Sequence, residues 1–70
     1  MYTIKSIKTA ISSETLAEKW DIIASYMDDD IREDLHARLA PCSREKFLAR
    51  YLNRDPQFAG LLKSEFSINL

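Results

Sequence analysis

The stretch Glu14-Thr15-Leu16-Ala17-Glu18-Lys19-Trp20-Asp21-Ile22-Ile23-Ala24-Ser25-Tyr26-Met27, followed at once by Asp28-Asp29-Asp30, decides the fold class. Leu16, Ala17, Trp20, Ile23, Ala24 and Met27 recur at steps of one, three and four. An α-helix turns once in about 3.6 residues, so these steps place the side chains on one stripe. Glu14, Glu18, Asp21 and Ser25 fall off the stripe, and the segment is amphipathic. Thr15 and Glu18 stand in a T-x-x-E capping box, with Ser12 and Ser13 as rival caps. The expected helix runs from about Glu14 to Met27.

Downstream, the triplet Asp28-Asp29-Asp30 reads as a junction. Aspartate is a poor helix-interior residue but a good N-cap, because its carboxylate accepts free backbone N–H groups. Negative charge there also meets the positive end of the helix dipole. Ile31, Leu35 and Leu39 then repeat every fourth residue, and Pro41 stops that second helix. Ser43 caps a third, whose apolar face is Phe47, Leu48, Tyr51 and Leu52 and which Asn53 can end. Asp55-Pro56 offers a cap followed by proline at a first helical position, where its missing N–H costs nothing. The fourth helix carries Phe58, Leu61 and Leu62, with Phe66 near its end. Gly60 inside it costs about 1 kcal/mol relative to alanine, which means either a short, weak helix or a close packing contact.

Both ends alternate weakly. Tyr2, Ile4 and Ser6 interleave with Thr3, Lys5 and Ile7, and Phe66, Ile68 and Leu70 alternate likewise. They predict a small two-stranded ribbon, with a short helix over residues 3–11 as the rival. The expectation is one mainly α-helical domain over residues 1–70, a compact bundle of three to four short helices. Its predicted core is Leu16, Trp20, Ile23, Ile31, Leu35, Leu39, Phe47, Leu48, Tyr51, Phe58, Leu61 and Leu62.

Composition narrows the function classes. The chain has 70 residues, 46% hydrophobic and 30% charged. A domain of this size buries only about 60% of its unfolded surface, so its stability margin is thin. The apolar fraction excludes a disordered tail. No run approaches the roughly 20 apolar residues of a membrane span, and no signal peptide is visible. Cys42 is the single cysteine, which excludes an internal disulfide and points to a reducing, cytoplasmic setting.

Catalytic chemistry has little to work with. The aspartate triplet lacks the alternation, glycine and terminal glutamate of a calcium loop. His36 reads as a core-edge or surface residue and Cys42 as a small half-buried thiol, since a nucleophilic pair needs contact and an orienting third group. No phosphate loop, nucleophile elbow or zinc spacing occurs. The reading is therefore a non-enzyme with no metal and no cofactor.

Charge is distributed unevenly. Residues 14–34 hold eight acidic against two basic residues, and residues 38–63 hold six basic against two acidic. A block of one sign keeps a face solvated, or steers a partner of opposite sign. In the acidic block, Asp28, Asp29, Asp30, Glu33 and Asp34 are the candidate protein-binding residues, close in sequence to Glu18 and Asp21. Tyr26, Met27 and Trp20 could supply apolar anchors, although Trp20 reads first as core. In the basic block, Arg44, Lys46, Arg50 and Arg54 are the alternative, a nucleic-acid interface in an antitoxin-like regulator. The total charge of −1 argues against that alternative. A homodimer is a third possibility beside a monomer.

The run Tyr26-Met27-Asp28-Asp29-Asp30-Ile31-Arg32-Glu33, then Leu35-His36 and Leu39-Ala40-Pro41-Cys42, with Phe47, Tyr51 and Asp55-Pro56 beyond, resembles short proteins of bacterial prophages and other mobile elements. The resemblance covers roughly residues 20–66. That group includes anti-CRISPR inhibitors, which bind effector complexes and often present acidic surfaces. The resemblance implies a small defence inhibitor whose partner is a CRISPR effector subunit. The near-neutral charge departs from strongly acidic DNA mimics.

Overall fold

Serine, threonine and aspartate set where the helices begin. The computed structural model describes residues 1–70. In it, α1 (Ile4–Ala10) starts behind Thr3, α2 (Ser13–Ser25) behind Ser12, α3 (Asp29–Leu39) behind Asp28 and α4 (Arg44–Arg54) behind Ser43. Each of these caps accepts a backbone N–H from the first turn, satisfying donors that have no partner inside the helix. The last helix, α5 (Phe58–Phe66), has no side-chain cap. The structure contains no strand.

The all-α class is observed, with five helices where three to four were expected. The ribbon does not form. Thr3 and Ser6 close a reciprocal capping box, and Ile7 and Ile11, four apart, are both buried. A helix over residues 4–10 thus meets both its polar and its apolar demands, and the rival reading of that segment is the one observed. Tyr2 is held by a side chain instead of a strand. Its N–H donates to Asn53 Oδ1 at 2.7 Å, and Asn53 Nδ2 donates to its carbonyl at 2.9 Å. At the other end, Ser67 turns into the left-handed region at φ 57°, and Ile68 drops into the core.

Four boundaries also move: α2 ends at Ser25, short of the expected Met27, and three others shift. Ser12, not Thr15, caps α2, and its hydroxyl accepts the Thr15 N–H at 3.2 Å. Asp55 closes α4 and opens a turn in which its carbonyl accepts the Phe58 N–H, so α5 starts after Pro56 and Gln57. Gly60 is exposed, and a Cβ there would meet nothing within 4 Å. No close contact explains it, which leaves the short helix.

The core is organised on α4. Phe47, Leu48, Ala49, Tyr51 and Leu52 are all buried, and α4 packs against α1, α2 and α3. Leu16, Ile23, Leu35, Phe58 and Leu62 meet it from the other helices, as predicted. Ile7, Ile11, Met27, Ala49, Leu52 and Ile68 join from outside the predicted list. Trp20, Ile31, Leu39 and Leu61, expected inside, are only half-buried and pack on the core's edge. Trp20 meets the Phe47 ring edge-on at 5.8 Å, which leaves its other face outward. Two polar contacts fix the corner between α2 and α3. Arg32 Nη1 donates to the Ala24 carbonyl at 3.0 Å, and the Asp28 N–H donates to the hydroxyl of buried Tyr51.

Candidate partner-binding surfaces

The aspartate junction divides its carboxylates between structure and solvent. Asp28 turns back on α3, where its carboxylate accepts the Asp30 N–H at 2.9 Å and the Ile31 N–H at 3.4 Å. Asp29 pairs with Arg32 one turn on at 2.6 Å. Asp34 lies between two guanidiniums, Arg38 at 3.2 Å and Arg54 from α4. The Arg54 hydrogen bond holds the Asp34 carboxyl below its ordinary value of 3.8. Asp30 and Glu33 are exposed and make no ion pair. The five predicted binding carboxylates therefore comprise two free groups, one paired within its own turn, one helix cap and one cross-helix clamp. Exposed ion pairs of this kind add little stability, so their main effect is to cancel charge locally.

More free negative charge lies on α2. Glu14, Glu18 and Asp21 are exposed, unpaired, and share one arc of the helix by their spacing. The same arc carries Ile22, 54% exposed, with Tyr26 beside it at 48%. Tyr26 is steadied edge-on by Phe66 at 5.9 Å. A tyrosine and an isoleucine rimmed by carboxylates have the layout of a protein-docking patch, with an apolar centre and a polar rim. Of the anchors named from sequence, Tyr26 is available, Met27 is buried at 5% exposure and Trp20 is half-covered. Ile22 was missed, although the signal was present: it sits one residue before Ile23, about 100° off the buried stripe.

The basic residues are placed differently. Arg44, Lys46 and Arg50 are exposed and outside any ion pair, whereas Arg54 is engaged by Asp34. The four do not act as one free cationic set. His36 and Cys42 line a common cleft of about 190 Å³ with Trp20 and Phe47, and the His36 ring packs on Phe47 at 4.9 Å. No carboxylate lines that cleft to orient an imidazole. Glu45 is the one buried charged residue, in the first turn of α4, where its charge meets the positive end of the helix. No three His, Cys, Asp or Glu side chains converge as a metal site would require. No helix is long and apolar enough to cross a membrane.

Comparison with known proteins gives one match. The family model for the anti-CRISPR protein AcrIC5 matches residues 14–55, the span from α2 through α4 that holds the acidic block and the corner at Asp28. No curated protein and no solved structure matches the chain.

Proposed function

The chain belongs to the anti-CRISPR AcrIC5 family, and we propose that it inhibits by docking the acidic face of α2 and α3 on a protein subunit of a CRISPR effector in the host cytoplasm. The observation that carries this reading is that Asp30 and Glu33 on α3 and Glu18 and Asp21 on α2 are exposed and unpaired, and that Ile22 and Tyr26 are exposed as well. Effectors that handle nucleic acid need basic surfaces, because neutralising phosphates supplies much of their affinity. A carboxylate face is complementary to such a surface, speeds encounter and selects the partner. Tyr26 and Ile22 then bury apolar area at the centre, where most binding energy concentrates. The role is occupation of a surface, without a chemical step and without a cofactor. Asp28 and Asp34 contribute by shaping the corner, not by direct contact.

The test is the double variant Asp30→Lys/Glu33→Lys, captured on purified effector complexes over a range of salt. Both side chains are exposed and unpaired, so folding persists and circular dichroism checks it. Weaker capture with a flatter salt response is expected. Capture equal to that of the parent at every salt concentration removes this face from the mechanism.

A further inference from the structure

The C-terminal halves of α3 and α4 leave a groove of about 360 Å³ between them, lined by Leu35, Arg38, Leu39, Arg50, Asn53 and Arg54. We propose that this groove is a second docking site, oppositely charged to the α2 face, that takes an acidic, leucine-bearing segment of a protein. Its volume lies in the roughly 300–1,000 Å³ range of clefts that hold ligands. Leu35 and Leu39 give it an aliphatic floor, and Asn53, fixed by both hydrogen bonds to Tyr2, gives it a rigid wall. Three guanidiniums form the rim against one carboxylate, that of Asp34.

Asp34 demonstrates what the rim recognises. Arg38 and Arg54 converge on its carboxylate from two helices, although their side chains remain 72% and 47% exposed. Each guanidinium has five N–H donors and Asp34 engages one of each, so donors remain for a second carboxylate. Arg50 has no internal partner at all. Nucleic acid suits the site less well. No aromatic side chain lines it for a base to stack on, and an aliphatic floor offers a phosphate backbone nothing. A glutamate-rich segment with leucines one turn apart matches both the floor and the rim.

The full chain, isotope-labelled, is titrated by NMR with a blocked octapeptide of glutamates and two leucines spaced one helical turn apart. The same peptide with lysine for glutamate, and a short DNA duplex, are run beside it. Amide signals of Leu35, Leu39, Arg50 and Arg54 should shift with the acidic peptide and not with the lysine peptide. Arg50→Glu should weaken binding about tenfold or more, the scale of one lost charge-assisted hydrogen bond, and Arg50→Lys should keep most of it. Asp30→Lys/Glu33→Lys should not weaken this binding, which separates the groove from the acidic face. The proposal is overturned if the acidic peptide produces no shift, if Arg50→Glu binds as well as the parent, or if the duplex occupies the groove more tightly than the peptide.

Discussion

Replacing Tyr51 by phenylalanine removes one oxygen from the corner on which the acidic face is built. The Tyr51 side chain is 1% exposed, and its hydroxyl accepts the N–H of Asp28, the residue that caps α3. Phenylalanine keeps the ring and its 4.8 Å approach to Phe58, so no cavity opens. A hydrogen bond of this kind is worth about 0.5–1.5 kcal/mol net, and an orphaned buried donor costs about 1–3 kcal/mol. Asp28 is exposed, so water can reach its N–H and the cost falls to about 1 kcal/mol. In a domain this small that lowers Tm by about 4–8 °C. Tyr51→Ala, by contrast, should cost about 3–5 kcal/mol through the cavity it leaves.

The burial of the phenol adds a pH dependence of its own. Burial raises the Tyr51 phenol above its ordinary value of 10.0. Its neutral form is therefore favoured by folding. The corresponding stability is complete below pH 10, and it is lost as pH rises through the folded-state value. The advantage of the parent over Tyr51→Phe should be full at neutral pH and shrink in strong alkali. Urea denaturation followed by far-UV circular dichroism measures both. An unchanged midpoint at neutral pH refutes the assignment of the hydroxyl to the corner, and a parent–variant gap that does not shrink with alkali refutes the burial of the phenol.

Further stability changes are read from the same denaturation curves. Arg54 and Arg38 hold the Asp34 carboxyl low, so the stability it contributes is present above its unfolded value of 3.8 and lost as pH falls through the folded value. Asp34→Asn should flatten the acid-side decline, and an unaltered decline would mean that the clamp is not formed in solution. Gly60→Ala should stabilise by about 0.5–1 kcal/mol, because alanine lowers the unfolded-chain entropy and meets no neighbour. Ser67→Gly should stabilise by a similar amount, about 1 kcal/mol, by relieving the left-handed φ of 57°. Ile7→Ala should cost about 2–4 kcal/mol and expose the amides of α1 to hydrogen exchange, since seven residues cannot stay helical without that fully buried anchor.

Local physics made much of this molecule legible in its sequence. The Leu16 and Ile23 stripe of α2, the Asp28 and Ser43 caps and the stop before Pro41 rest on interactions within a few residues, and these are observed, whereas Ala17, read onto the same stripe, is exposed. What was hidden depends on contacts distant in sequence. The first residues alternate like a strand, yet Ile7 and Ile11 had a core to enter only because α4 passes beneath them. Trp20 and Ile31 lie on the right stripes, but a domain this small has too little interior to cover them fully. The acidic run was visible as composition. That Asp34 would be clamped by Arg54, twenty residues away, follows only from the packing of α3 against α4.

That packing relocates the negative field. The acidic and basic blocks meet where α3 lies against α4, and at that seam Asp34 cancels against Arg38 and Arg54, while Asp29 is offset by Arg32. Within the acidic block, carboxylates that are neither paired nor used as a cap stand at Glu14, Glu18, Asp21, Asp30 and Glu33. The dense run of aspartates in the sequence is thus partly neutralised, whereas the carboxylates of α2 are free, and Ile22 and Tyr26 are exposed there too. Long-range steering depends on net uncompensated charge and is screened beyond about 8–10 Å at ordinary ionic strength. Reversing Glu18 and Asp21 together should therefore slow association with an effector more than neutralising Asp34 does, most visibly at low salt. Stopped-flow association rates across a salt series measure the ordering. If Asp34→Asn slows association more than the α2 double reversal, the docking face lies on the seam itself and the free carboxylates of α2 are only a solvated surface.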